Sequence, residues 1–167
     1  MSTIFILLIQ CAILSYTFVA GVFLAFSDFV VRSLRKTSGH GGVEAMQAIN
    51  REVFRWVFMT LFLGLAAVSL VITAYGAIAL SGLSRTLIML AGLFYLVGCF
   101  GVTIFFNVPM NKALAQMEMT GTKTQDYWLQ TYVPCWTFWN SVRTMACSTS
   151  ATLLLVGLVR MAQSRLL

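Results

Sequence analysis

The residues best equipped for chemistry share one face of the last apolar run. Trp136, Asn140, Arg143 and Cys147 are spaced i, i+4, i+7 and i+11, so on a helix they line up, and Ser150 and Ala151 continue the face with side chains small enough for a close helix contact. Arg143 follows Pro134 by nine residues, which puts its Cα about 14 Å along a helix. A charge near mid-membrane costs about 2.5–3.5 kcal/mol even on the lenient insertion scale, so it must face the bundle interior and find a partner. The carboxylates on offer are Asp28 and Glu52, with Glu44 a weaker third, and Asn107 can add a hydrogen bond.

Two readings of this constellation stand side by side. A buried Arg–carboxylate pair with asparagines can lock helices together and do nothing else. The same groups, gathered at one end of a bundle beside Trp136, Trp139, Trp128 and Tyr132, can instead form a small polar pocket for an amphipathic molecule. Trp128 and Tyr132 read best as members of an interfacial aromatic belt, while Trp136 and Trp139 fit a belt or a pocket equally well. In Asn107-Val108-Pro109-Met110-Asn111, the proline ends the third span and frees a backbone carbonyl, and two asparagines at i and i+4 can satisfy such groups. Asn107 and Asn111 join Trp136, Trp139 and Asn140 as candidate substrate-binding residues.

The elements that must hold these side chains are apolar. Of 167 residues, 59% are hydrophobic and 10% charged. A soluble domain carries about 25% charged residues, so lipid must be the solvent for much of this surface. The length allows one domain, 1–167, with no room for a separate soluble enzyme domain. The expected fold is all-α: a transmembrane four-helix bundle, up-down-up-down, with spans at about 3–27, 55–80, 86–108 and 134–160, each long enough to cross the hydrocarbon core. The first run lacks a basic leader and exceeds a signal-peptide core in length, so it reads as a retained helix. Between the first two spans, Val43, Met46, Ile49 and Val53 recur at helical spacing and predict a short amphipathic helix in the first cytoplasmic loop, lying at the interface or leading into span two.

The net charge of +6 would suggest nucleic acid on a soluble chain. Here the basic residues sit at helix ends, where they set orientation and meet anionic lipid, so membrane lipid and not nucleic acid is the expected partner. The long loops carry Arg32, Arg35, Lys36, Arg51, Arg55, Lys112 and Lys123, against Arg85, Arg160 and Arg165 on the other side. Both long loops are therefore expected in the cytoplasm and both termini outside. Cys11, Cys99, Cys135 and Cys147 contain no CxxC pair, and with His40 as the lone histidine there is no expected metal site. The cysteines read as small hydrophobes and the nine methionines as packing filler. His40, in a glycine-rich loop, is a poor candidate base.

Four segments, taken in order, resemble the DUF1772 (anthrone oxygenase-like) membrane family: Gly21-Val22-Phe23-Leu24-Ala25-Phe26-Ser27-Asp28-Phe29, Met46-Gln47-Ala48-Ile49-Asn50-Arg51, Asn107-Val108-Pro109-Met110-Asn111, and Trp136-Thr137-Phe138-Trp139-Asn140-Ser141-Val142-Arg143-Thr144. The Asn-Val-Pro-x-Asn and Trp-Asn-x-x-Arg elements are the most specific. The resemblance implies four helices in a membrane, expected to be a bacterial inner membrane. It also implies oxidation of an anthrone, or another lipophilic aromatic or quinone-like molecule, by molecular oxygen with neither metal nor organic cofactor. Such a route needs a base to remove a benzylic proton and a group to stabilise the enolate. On that reading Asp28 or Glu52 is the base, Arg143 with Asn107 or Asn140 holds the oxyanion, and Trp136 stacks on the rings. The alternative is a non-enzymatic protein, either a lipid or quinone binder or an accessory subunit of a membrane complex, with a homo-oligomer or larger assembly as partner. A transporter ranks lowest, because no charged pathway crosses from one end to the other.

Overall fold

The computed structural model describes residues 3–163; Met1, Ser2 and Arg165, which entered the arguments on the leader and on orientation, lie outside the described residues. Five helices follow one another: α1 (Thr3–Arg35), α2 (Gly41–Glu52), α3 (Val57–Ala79), α4 (Gly82–Ala115) and α5 (Thr122–Gln163). No strand occurs among the described residues. The four long helices are each apolar and long enough to cross a membrane, which makes this an integral membrane protein.

Side-chain pairs fix the antiparallel packing. Phe5 near the start of α1 stacks on Tyr75 near the end of α3, at 3.8 Å between ring centres, while Phe23 meets Phe58 edge-on at 5.7 Å. Mid-bundle, Ser69 donates to Leu65 O at 2.6 Å, so its oxygen is left to accept from Tyr16 OH, also at 2.6 Å. Tyr95 OH donates to Phe62 O at 2.7 Å. These bonds tie α1 and α4 to α3 inside the apolar core, where an unpaired hydroxyl would be costly. The α1–α5, α3–α4 and α4–α5 contacts are extensive, and the α1–α3 seam is the most open side of the ring.

Three of the helices run well past their apolar cores. At 1.5 Å per residue, the 33, 34 and 42 residues of α1, α4 and α5 reach about 50, 51 and 63 Å, against about 30 Å of hydrocarbon. Residues 27–35, 109–115 and 122–133 are thus helical where connecting loops were expected, and the third connection shrinks to 116–121. Freedom from charge locates hydrocarbon; it does not locate helix ends, because a helix can extend into water wherever its side finds a packing partner. Nor does Pro109 end its helix. The preceding turn, Thr103–Asn107, is a π-helix in which Val108 N–H bonds to Thr103 O five residues back, so the ladder passes the proline with a widened turn. Further π-helical turns occupy Phe26–Val30 in α1, Phe94–Gly101 in α4 and Tyr127–Tyr132 in α5.

The expected amphipathic helix is present as α2, but its apolar face meets protein. Val43 and Met46 pack with Val31, Leu114, Trp128, Tyr132 and Trp136 in a second core at the polar end. Gln47 Nε2 donates to Leu114 O at 2.8 Å, the same carbonyl that Met117 N–H reaches at 3.3 Å, and so ties α2 to the last turn of α4. Gly42 lies directly against Leu34 O, where any Cβ would collide. This cap joins the ends of α1, α4 and α5.

Close packing in the far half rests on glycine. A Cβ at Gly92 would run into Thr73 Oγ1 and Ser69 O, whereas one at Gly64, on the open seam, meets nothing within 4 Å. Gly92→Ala is expected to cost about 1–3 kcal/mol through forced separation of α3 and α4, and Gly64→Ala to leave stability unchanged or slightly raised; thermal unfolding in detergent measures both.

Candidate functional site

At the polar end a cavity of about 100 Å³ lies between α1, α3, α4 and α5, with α2 beneath it. On this measure one water needs about 10–15 Å³, so the space admits more than a single solvent molecule. Apolar walls come from Phe23 and Phe26 of α1, Met46 and Ile49 of α2, and Phe58, Met59 and Phe62 of α3. Val22 and Phe54, both exposed, form the rim where α1 meets the α2–α3 linker. The polar groups are Asn50, Thr103, Asn107, Asn111, Asn140 and Arg143, with the Trp136 indole beside them.

Arg143 is 5% exposed. Its guanidinium donates from Nη2 to Asn140 Oδ1 and from Nη1 to Thr103 Oγ1, the latter at 3.2 Å. It lies 4.2 Å over the Phe23 ring and 5.3 Å from the Trp136 ring centre. Guanidinium carries five N–H donors, so these two bonds leave three hydrogens, including that on Nε, without a partner. Among the described residues no carboxylate pairs with it. The cation is held by neutral dipoles and ring faces alone.

This corrects the expected pairing. Asp28 faces water, its side chain 66% exposed, and pairs with Arg32 one turn on at 3.7 Å. Glu52, 60% exposed, pairs with Arg55 at 3.1 Å. Neither lines the cavity. Taking a carboxylate into the bundle costs several kcal/mol of hydration, and each of these has an arginine within one helical turn at the surface, so the local pair prevails. Glu44 is also exposed. Trp139, expected at the site, stacks on Phe106 at 3.7 Å and meets Phe138 edge-on at 5.1 Å on the outer side of the bundle. It stands about 60° round the helix from Trp136, at the edge of that face, where the Phe106 ring holds it outside the cavity.

The asparagines are brought together as expected, each in a different job. Asn140 Nδ2 donates to Phe23 O and to Ser27 Oγ, both at 2.6 Å, and so pins α5 to α1 while its oxygen receives Arg143. Asn111 Oδ1 accepts from Tyr132 OH and from Trp136 Nε1, both at 2.8 Å. Asn50 Nδ2 donates to Tyr132 OH at 3.3 Å. Asn107 Nδ2 donates to Trp136 O at 3.3 Å, and its Oδ1 has no partner.

Trp128 and Tyr132, expected in an interfacial belt, are 2% and 0% exposed and stack on each other at 5.3 Å beneath the cavity. The signal for Tyr132 was present in the spacing, since it precedes Trp136 by one turn on the same face. Thr103 was likewise one turn before Asn107. Phe23, whose ring faces the guanidinium, carried no signal beyond apolarity. His40 lies away from the cavity and bonds through Nδ1 with Gln125 Nε2 at 2.9 Å. Among the described residues no three His, Cys, Asp or Glu side chains gather around a common point.

A family model described as anthrone oxygenase matches residues 51–153, well over half of the chain. The matched stretch holds Glu52, Asn107, Asn111, Trp136, Trp139, Asn140 and Arg143; Asp28 lies outside it. No curated protein and no solved structure matches the chain.

A buried cation without a counter-charge should cost stability, as a helix clasp would not. Arg143→Met, which keeps the stem and removes the charge, is expected to hold or raise the melting temperature in detergent; a drop beyond a few degrees would reassign Arg143 to holding the helices together.

Proposed function

As the chain belongs to the anthrone oxygenase family, we propose that it oxidises a lipophilic, acidic aromatic molecule in the cavity beside Arg143, with molecular oxygen as the oxidant. The observation that carries this reading is the Arg143 guanidinium, which is buried against an apolar cavity with N–H donors to spare and no carboxylate to neutralise it. Such a site favours a ligand that is, or becomes, an anion.

An anthrone fits the requirement. It partitions into the bilayer as a neutral molecule and loses a benzylic proton to become an enolate. The positive field of Arg143 stabilises that oxyanion, and the low dielectric around it makes the interaction stronger than it would be in water. The Phe23, Phe26 and Trp136 rings supply faces for a flat polycycle. No carboxylate lines the cavity, so in this proposal the proton passes to water at the rim, and Arg143 provides the driving force by favouring the ionised form. The electron-rich enolate then reacts with oxygen. Overall a methylene becomes a carbonyl, one oxygen atom entering the product and the other leaving as water, without metal or organic cofactor. Asp28 and Glu52 serve the surface in this scheme.

The membrane is proposed to be a bacterial inner membrane with the polar end cytoplasmic and both termini outside, supported by the basic residues of the first and third connections. A chain with its native cysteines replaced and Ser38→Cys introduced before α2 should react with an impermeant maleimide in inverted vesicles and stay protected in right-side-out ones.

Activity is measured with purified protein in nanodiscs, following oxygen uptake and quinone absorbance with anthrone as substrate. Arg143→Met is expected to lower turnover about 100-fold or more, while Asp28→Asn and Glu52→Gln stay within about twofold of the parent, as expected for screened surface pairs. A folded Arg143→Met protein with full turnover would falsify the assignment.

A further inference from the structure

We infer that the cavity selects an aromatic ring bearing two oxygen functions of opposite hydrogen-bonding sense: an ionised oxygen held by the Arg143 guanidinium and a protonated hydroxyl that donates to Asn107 Oδ1. The inference rests on the reading of Arg143 as an anion site and adds a second, independent point of recognition.

Asn107 is 1% exposed, lines the cavity and keeps a buried Oδ1 with no partner. The orientation of its amide is set by its neighbour. Nδ2 donates to Trp136 O at 3.3 Å, and turning the amide over would set two carbonyl oxygens against each other. The atom left over is therefore an acceptor. The other amides differ: Asn111 Oδ1 already accepts two bonds, and Asn140 Oδ1 accepts from Arg143. A bare acceptor in an apolar surround is costly until a donor reaches it.

The two open groups are complementary in sign. An oxyanion placed at Asn107 Oδ1 would be repelled, and a hydroxyl hydrogen placed at the guanidinium would face N–H donors. A ligand with one ionised and one protonated oxygen thus binds in a single sense. An analogue whose second oxygen is methylated keeps the ring and loses the donor, leaving Oδ1 buried and unpaired. Sites built around a substrate hydroxyl reject analogues that lack it far more strongly than apolar pockets reject an altered methylene. Asn107 is on this account a specificity-determining residue.

The test is a binding series in nanodiscs under nitrogen with 2-naphthol, the dihydroxynaphthalene isomers and the monomethyl ether of each, read by titration calorimetry. At least one isomer is expected to bind about tenfold or more tightly than its own ether, the size of effect one hydrogen bond to a buried partner gives. Asn107→Leu is expected to bring that ratio close to one. If every diol binds within twofold of its ether in the parent protein, the inference is overturned, and this comparison does not depend on the variant folding. If the diol preference survives in Asn107→Leu, it is overturned as well. The parent reading fails separately, and takes this one with it, if 2-naphthol does not bind or if its affinity is indifferent to Arg143→Met.

Discussion

Arg143 has left water without meeting a carboxylate, and the polar half of the bundle is arranged around that fact. A guanidinium in low dielectric must be solvated by something, and here the solvent is protein. Asn140 and Thr103 supply oxygens, Phe23 and Trp136 supply ring faces. Those four groups come from three helices. Asn140 in turn holds Phe23 O and Ser27 Oγ, so the same contacts that solvate the charge also set α5 against α1. A carboxylate would have neutralised the cation and closed the matter as a clasp. Neutral partners leave the field of the charge uncancelled, and the adjoining cavity is where that field is felt.

The widened turns explain how the ring of polar groups is aimed. Thr103 and Asn107 sit at the two ends of one π-helical turn and both line the cavity, and Phe26 opens another. Such turns give up some hydrogen-bond geometry, which is why they gather where side chains have a task beyond packing. Beneath them, α2 and the second apolar core act as a floor. Tyr132, Trp136, Asn111 and Asn50 form a hydrogen-bonded layer there, with every hydroxyl and indole N–H engaged. That layer is rigid by construction, so the cavity is preorganised on the protein side and open toward the seam between α1 and the α2–α3 linker.

Particular residues mark how far a one-dimensional reading reaches. The spacing of Trp136, Asn140, Arg143 and Cys147 predicted a shared face, and three of the four meet at the cavity while Cys147 enters the core beyond it. Asn107 and Asn111, named as candidate substrate-binding residues or a helix-ending device, both line the cavity and bond to Trp136. Asp28 and Glu52 were assigned to Arg143 because a buried cation ordinarily wants a carboxylate, yet Asp28 found Arg32 one turn along α1, Glu52 found Arg55 in the α2–α3 linker, and both stayed in water. Pro109 was read as a helix end because sequence offers no sign of a π turn. Trp139 was grouped with Trp136 on residue type, though it sits at the edge of that face and packs on Phe106 and Phe138 outside the cavity.

Composition and periodicity by themselves determined the solvent and the architecture, since 10% charge cannot cover a water-facing surface and four charge-poor runs long enough to cross hydrocarbon leave little choice but a helical bundle. They also determined that Arg143 must face inward, because a charge that deep in hydrocarbon is costly wherever lipid and not protein surrounds it. What only the tertiary structure decided is which groups answer that charge. Hydrogen bonding and desolvation are settled at distances of about 3 Å between residues more than a hundred positions apart, as with Asn140 and Ser27. No local pattern encodes whether such a meeting ends in a paired carboxylate or, as here, in a cation left open beside a cavity.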